Sequence, residues 1–200
     1  MKKLYLPLLA FSIISCNENN NIKTVSLNAS TEMQTKQETD SVKWIDSFRE
    51  FRNAVYQKDK EKVKRFIDFP IMNENNEIWY LAYGEDDKRL SKMSNKIKPF
   101  TEKDLDLYFD KLFSNRFINT ILKIKSEELF TKGEYETKGF EDNNTNYRMY
   151  ATFDKTERTL NLNLSSKIED VEDGGEFSIN YEFDVLKNGQ IKFRQVRLAG

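Results

Sequence analysis

Phe177-Ser178-Ile179-Asn180-Tyr181-Glu182-Phe183-Asp184-Val185-Leu186-Lys187-Asn188-Gly189-Gln190-Ile191-Lys192-Phe193 decides the fold class. Its apolar residues fall at every second position on both sides of an Asn-Gly turn, which is the pattern of a β-hairpin with one dry face. The register follows from testing both turns. A two-residue Asn188-Gly189 turn would set Phe183 opposite Arg194 and mix the faces. A three-residue loop, Lys187-Asn188-Gly189 with Gly189 left-handed, instead pairs Val185 with Ile191 and Phe183 with Phe193. It also sets Asp184 opposite Lys192 and Glu182 opposite Arg194, which are opposite-charge pairs. Beyond Phe193 the apolar residues Val196 and Leu198 are out of phase by one, so a bulge and a bend are expected near Gln195.

The same period of two runs upstream to Glu134. Tyr147, Met149, Ala151 and Phe153 alternate with polar residues, and so do Leu160, Leu162 and Leu164. Together these runs predict an antiparallel sheet with one face buried.

Before Glu134 the period is helical. Trp44, Phe48, Phe51 and Val55 recur at spacings of 4, 3 and 4 behind a capping Ser41. A second helix is expected from Asp59 through Val63, Phe66 and Ile67, stopping before Phe69-Pro70. Lys58, Lys60, Lys62, Lys64 and Arg65 read either as a basic patch or as the wet side of that helix. Ile78-Trp79-Tyr80-Leu81-Ala82-Tyr83 reads as a strand, with Ile71-Met72 pairing across Asn73-Glu74-Asn75-Asn76. Residues 84–99 are charged and without period, so a loop is expected. Thr101-Glu102-Lys103-Asp104 has the form of a capping box and opens a helix through Leu105, Tyr108, Phe109, Leu112 and Phe113. Asn115 is placed as the cap of another helix, burying Phe117, Ile118, Ile121 and Leu122. Helices followed by a meander define an α+β plan, in which a curved C-terminal antiparallel β-sheet packs on N-terminal helices.

The chain has 200 residues, 32 basic and 33 acidic side chains, one cysteine and no histidine. That excludes a Ser-His-Asp triad, a Cys-His pair and a His-ligated zinc. A net charge of −1 argues against nucleic acid as a partner. No cofactor and no metal are expected. Glu169, Asp170, Glu172 and Asp173 precede Gly174-Gly175, but their spacing does not fit an EF-hand, and a solvated hairpin tip accounts for them. Glu85-Asp86-Asp87 is read the same way.

The N-terminus reads as an address. Met1-Lys2-Lys3 precedes the apolar run Leu4-Tyr5-Leu6-Pro7-Leu8-Leu9-Ala10-Phe11-Ser12-Ile13-Ile14. At 1.5 Å per residue that run covers about half of a bilayer's hydrocarbon core, so it has signal-peptide dimensions. Residues 17–40 carry scattered apolar residues without a period and read as a solvated linker.

Ile13-Ile14-Ser15-Cys16 resembles the lipobox of bacterial lipoproteins. The resemblance implies cleavage before Cys16 and a diacylglyceryl thioether with an N-acyl group on that residue, giving a durable multi-chain anchor. It divides the chain into a signal peptide (1–15), a lipidated flexible tether (16–40) and one domain (41–200). Losing Lys2 and Lys3 takes the formal net charge from −1 to −3, so lipid and not basic residues would hold the membrane. Asn17 in place of Asp favours the outer membrane under the sorting rule of some Gram-negative bacteria.

The domain resembles the NTF2-like (cystatin-like) superfamily, in which a curved sheet and helices form a cone with a pocket. Phe51-Arg52-Asn53-Ala54-Val55 with Asp59-Lys60-Glu61-Lys62-Val63, then Phe69-Pro70-Ile71, and the closing run from Ile191 to Gly200 carry the resemblance. The superfamily hosts enzymes and pure binding modules alike. Its Asp-His pairs have no counterpart here. Trp44, Trp79, Tyr83, Tyr108 and Tyr181 are the candidate pocket-lining residues, since Tyr and Trp present an apolar body and a polar tip; plain core positions are the simpler reading, because a cavity in a cone is lined by the same residue types. The expected function is a lipid-anchored cell-envelope module that binds a small ligand or an envelope protein without catalysis. The alternatives are a small hydrolase or isomerase using an Asp/Tyr pair in the cone, or an envelope immunity-type protein. Inhibiting the lipoprotein signal peptidase is expected to leave a heavier, unprocessed precursor on a gel; an unchanged mass would remove the lipoprotein reading.

Overall fold

A computed structural model of the chain describes residues 44–84, 88–93, 96–142, 145–168 and 177–199. The signal peptide, Cys16, the tether and the Ser41 cap lie outside the described residues, as do Glu85-Asp86-Asp87 and the carboxylates of 169–175.

Helix α1 is described over 44–56 and buries Trp44, Phe48, Phe51 and Val55 along one stripe, as their spacing predicts. The Asp59 carboxylate caps α2 (Lys60–Lys64) by accepting the Lys62 N–H at 3.1 Å. This helix is shorter than expected, and Phe66 and Ile67 are buried beyond its end. The cations around it do not form one free patch: Lys62 pairs with Asp59 at 2.8 Å, and Lys60 Nζ donates to Asp106 O at 2.5 Å. Lys58 reaches Asp110 at 2.6 Å, and Lys64 contacts Glu61, Glu102 and Asp106 at 2.7 to 3.2 Å. These carboxylates raise the Lys64 pKa, and Glu102 and Asp106 tie α2 to the segment that carries them.

Residues 78–83 are not a strand. They form helix α3 (Glu77–Tyr83), entered through a short 3₁₀ turn at Glu74–Asn76. A six-residue apolar run has no period that separates a buried strand from a buried helix. The deciding groups precede it. Asn76 takes the left-handed conformation (φ 58°), and the buried Asn73 Oδ1 accepts the Ile78 N–H at 2.7 Å. Ile71 pairs instead with Phe100, through reciprocal backbone bonds of 2.9 and 3.0 Å.

Helix α4 (Glu102–Leu112) begins as expected, with the Asp104 carboxylate accepting both the N–H and the hydroxyl of Thr101. Helix α5 (Asn115–Ile121) is capped by Ser114 rather than Asn115, the Ser hydroxyl accepting the Phe117 N–H at 3.3 Å. Leu122, expected inside, is 38% exposed just past the helix end. A further helix, α6 (Ser126–Lys132), has no counterpart in the sequence reading. It carries Glu127 and Glu128 in its first turn, Lys132 in its last, and a left-handed Gly133 (φ 80°) after it.

The sheet is antiparallel, curved and open, with order β1-β3-β4-β5-β6. Strand β3 (Thr145–Asp154) shares its outer edge between β1 (Glu134–Glu136) and β2 (Phe140–Asp142). Strands β4 (Thr159–Ile168), β5 (Phe177–Val185) and β6 (Ile191–Ala199) follow as a meander. The last hairpin has the expected register: Val185 faces Ile191, Phe183 faces Phe193 and Asp184 faces Lys192. Gly189 sits at φ 83°, and its N–H donates to Leu186 O at 2.8 Å. The bulge is present, and the extra residue is Arg194. Glu182 therefore faces Gln195 and not Arg194, while Arg194 pairs with Asp184.

Helices cover the dry face. The Phe51 ring lies 4.9 to 5.8 Å from those of Phe66, Phe113 and Phe183, joining α1 to the sheet. The outer edge of β6 is closed by groups from α1 to α3. Ile191 N–H donates to Ser47 Oγ (3.0 Å), Phe193 N–H to Phe66 O (2.7 Å) and Leu198 N–H to Glu77 Oε1 (3.4 Å). Asn73 Nδ2 donates to Val196 O at 3.0 Å.

Asn73 thus serves both α3 and the edge. Its replacement by Ala leaves a buried N–H and a buried C=O unpaired and is expected to cost about 2–4 kcal/mol. The check is the urea midpoint, which should fall markedly; a change no larger than that of an exposed Asn→Ala control would refute the role.

Candidate functional site

The five candidate aromatics separate into two environments. Trp44 is buried, with its ring 4.6 Å from that of Phe153 and 6.0 Å from that of Phe130. Its indole N–H is buried without a hydrogen-bond partner among the described residues. Tyr181 is buried in the heart of the domain between Phe113 and Phe117, and its hydroxyl donates to Leu112 O at 2.8 Å. Neither residue lines either of the two grooves found among the described residues. Burial raises the Tyr181 pKa well above the ordinary phenol value of 10.0.

Trp79, Tyr83 and Tyr108 do come together. Their ring centroids lie 5.1 to 6.1 Å apart, in tilted and edge-on arrangements. Helix α3 supplies the first two at positions i and i+4, and α4 supplies the third. Two cations lie on this platform. Lys98 Nζ is 3.7 Å from the Trp79 centroid and donates to the Tyr83 hydroxyl at 2.6 Å. The Arg89 guanidinium is 3.9 Å from the Tyr83 centroid and donates to the Tyr108 hydroxyl at 2.9 Å. The Trp79 indole N–H completes the set by donating to Lys98 O at 2.9 Å.

Beside the platform is an open groove of about 490 Å³. Tyr83, Met93, Ile97 and Pro99 form its apolar wall; Arg89, Lys92, Lys96 and Lys98 supply the cations; no carboxylate lines it among the described residues. Asn76 fixes the backbone of two lining residues. Its Oδ1 accepts the Lys98 N–H at 2.6 Å, and its Nδ2 donates to Lys96 O at 3.1 Å. A volume in this range suits a small ligand.

Of the groove residues, the sequence reading singled out Tyr83 alone. The rest lie in the stretch read as an aperiodic loop. The available signal was the interleaving of cations with apolar residues in Lys92-Met93 and Lys96-Ile97-Lys98-Pro99.

The interior holds no acid–base site among the described residues. Glu182 is a buried carboxylate, but it is paired with Arg197 at 2.8 Å and accepts from Gln195 Nε2 at 2.7 Å. It neighbours Tyr181 in a strand, so the two side chains point to opposite faces. No Asp carboxylate is hydrogen-bonded to a Tyr hydroxyl, and no group of three potential metal ligands converges among the described residues. No described helix is long and apolar enough to cross a membrane.

The Tyr181 environment has a pH consequence. Its folded pKa is raised, so the stabilising contribution is complete below the unfolded value of 10.0 and is lost as pH rises above it. In an alkaline titration followed by absorbance and circular dichroism, one tyrosine is expected to ionise only with unfolding; its ionisation while the fold persists would contradict this burial. Compared with family models, curated proteins and solved structures, the chain matches none.

Proposed function

We propose that the chain is a lipid-anchored cell-envelope protein whose domain, an NTF2-like cone with a filled interior, is a non-catalytic ligand-binding or protein-interaction module. The observation that carries the non-catalytic part is the filling. The space that such a cone could hollow into a pocket is occupied by Phe51, Phe109, Phe113, Phe117, Tyr181 and Phe183, each at most 1% exposed. A hydrolase or isomerase in the cone needs a desolvated carboxylate beside its substrate. Glu182, neutralised by Arg197 on the outer face, does not offer one.

Two features support the NTF2-like reading: the Asp59 cap joins α1 to α2, and the closing strand carries its bulge at Arg194. Phe69-Pro70-Ile71, which resembles that superfamily's entry into its first strand, leads here to an isolated bridge from Ile71 to Phe100 and then to helix α3. The anchor rests on Ile13-Ile14-Ser15-Cys16, and the outer membrane on Asn17. Binding then belongs on the outside of the cone, where the cation–aromatic groove lies.

Replacing the acceptor sulfur, Cys16→Ser, is expected to move the protein from the membrane pellet to the soluble or unprocessed fraction and to abolish acyl labelling. Equal sedimentation and labelling of both forms would overturn the anchor. The binding reading would survive that result, because it depends on the domain alone.

A further inference from the structure

We infer that the groove beside Trp79, Tyr83 and Tyr108 is a binding site for a small anionic amphiphile, a single carboxylate or phosphate head on a short apolar body. The inference deepens the binding reading above and rests on it. Four observations carry it.

First, the site is partitioned as such a ligand is. Met93, Ile97, Pro99 and Tyr83 supply apolar lining, and Lys92 and Lys98 line the same groove. Second, the charged lining is of one sign among the described residues, so an anion entering it meets attraction from several sides. Third, Lys98 is held in place without a carboxylate. Its described partners are the Trp79 and Tyr83 rings and the Tyr83 hydroxyl. Lys64, by contrast, is neutralised by three carboxylates and Lys192 by Asp68 at 2.7 Å. An anion reaching Lys98 therefore breaks no ion pair, and Lys92 beside it is likewise free of a described carboxylate. Arg89 and Lys96 have further interactions and act here as walls. Fourth, the wall is pre-formed. The buried Asn76 side chain fixes the backbone of both Lys96 and Lys98, so little ordering remains to be done when a ligand enters.

The head is compact because the available donors are lysine ammoniums, which act as point charges and do not impose the forked geometry of a guanidinium. The body is apolar because a hydrated one would strand the Met93 and Ile97 surface. A carboxylate and a phosphate share this chemistry, and the first comes from a free fatty or aryl acid whereas the second also comes from a lipid headgroup.

The test uses the full chain with octanoate, octyl phosphate, the neutral isostere octanol and inorganic phosphate. Binding is read by calorimetry and by the NMR shift of the Trp79 indole N–H. Saturable binding of octanoate or octyl phosphate with displacement of the Trp79 signal is expected. Octanol should bind at least tenfold more weakly, and inorganic phosphate should not saturate. Saturation by octyl phosphate alone identifies the phosphate head, and saturation by octanoate alone the carboxylate. Lys92→Glu and Lys98→Met are each expected to weaken the anion about fivefold or more; Lys92, having no described partner, keeps the test valid should Lys98→Met fail to fold. Octanol binding as tightly as the anions, no saturable binding by either anion, or unchanged affinity in the folded variants would each overturn the assignment. None of those results touches the lipid anchor at Cys16.

Discussion

An open sheet must end somewhere, and the outer edge of β6 is where this fold is decided. The N–H groups of Ile191, Phe193 and Leu198 and the C=O of Val196 point away from β5 and have no strand to meet. Left bare, such a row is a template for pairing with another chain; left buried and unpaired, each group costs about 1–3 kcal/mol. Here a hydroxyl, a peptide carbonyl, an amide and a carboxylate from four separate places meet them. Those groups fix α1, the turn after α2 and the start of α3 against one line. The bulge at Arg194 makes this possible. Without the extra residue, the part of β6 that buries Val196 would present the wrong side chains inward and the wrong backbone groups outward.

The placement of α3 follows from that edge, and the groove follows from α3. Asn73 pins the helix start to β6, the helix brings Trp79 and Tyr83 to one side, and Asn76 holds the returning chain at Lys96 and Lys98 over them. The interior contributes by being full. Phe51 contacts three other rings and Tyr181 two, so the recess that the fold could offer is closed by aromatic packing. Outside that packing, cations rest on aromatic faces, an arrangement worth about 0.5–2 kcal/mol per contact.

What could be read from residues alone divides along physical lines. Where one face is wet and the other dry, the period specifies element and register, as in α1 and in the β5–β6 hairpin with its bulge. The opposite-charge pair of Asp184 and Lys192 was legible for the same reason, whereas Glu182 with Arg194 was not, because the bulge removes Arg194 from the ladder. Residues 78–83 defeated the reading because they are apolar at nearly every position, and the information sat in Asn73 and Asn76, whose side chains act on backbone 20 to 123 residues away. Trp44 and Tyr181 belong to the same difficulty. A ring that lines a pocket and a ring that fills one have the same sequence neighbours.

The contacts that close the β6 edge join residues 121 to 144 positions apart, whereas strands β2 to β6 each pair with a strand next to them in the chain. Loop closure costs only about 0.6 kcal/mol for each doubling of length, so this arrangement is cheap at equilibrium. Its cost is time. Distant contacts can stabilise nothing until the intervening chain has been ordered, and folds dominated by them form slowly. The meander can assemble hairpin by hairpin, but β6 keeps an unsatisfied margin until the first helices arrive. The interval between those two events is when this protein is most open to joining another strand edge to edge.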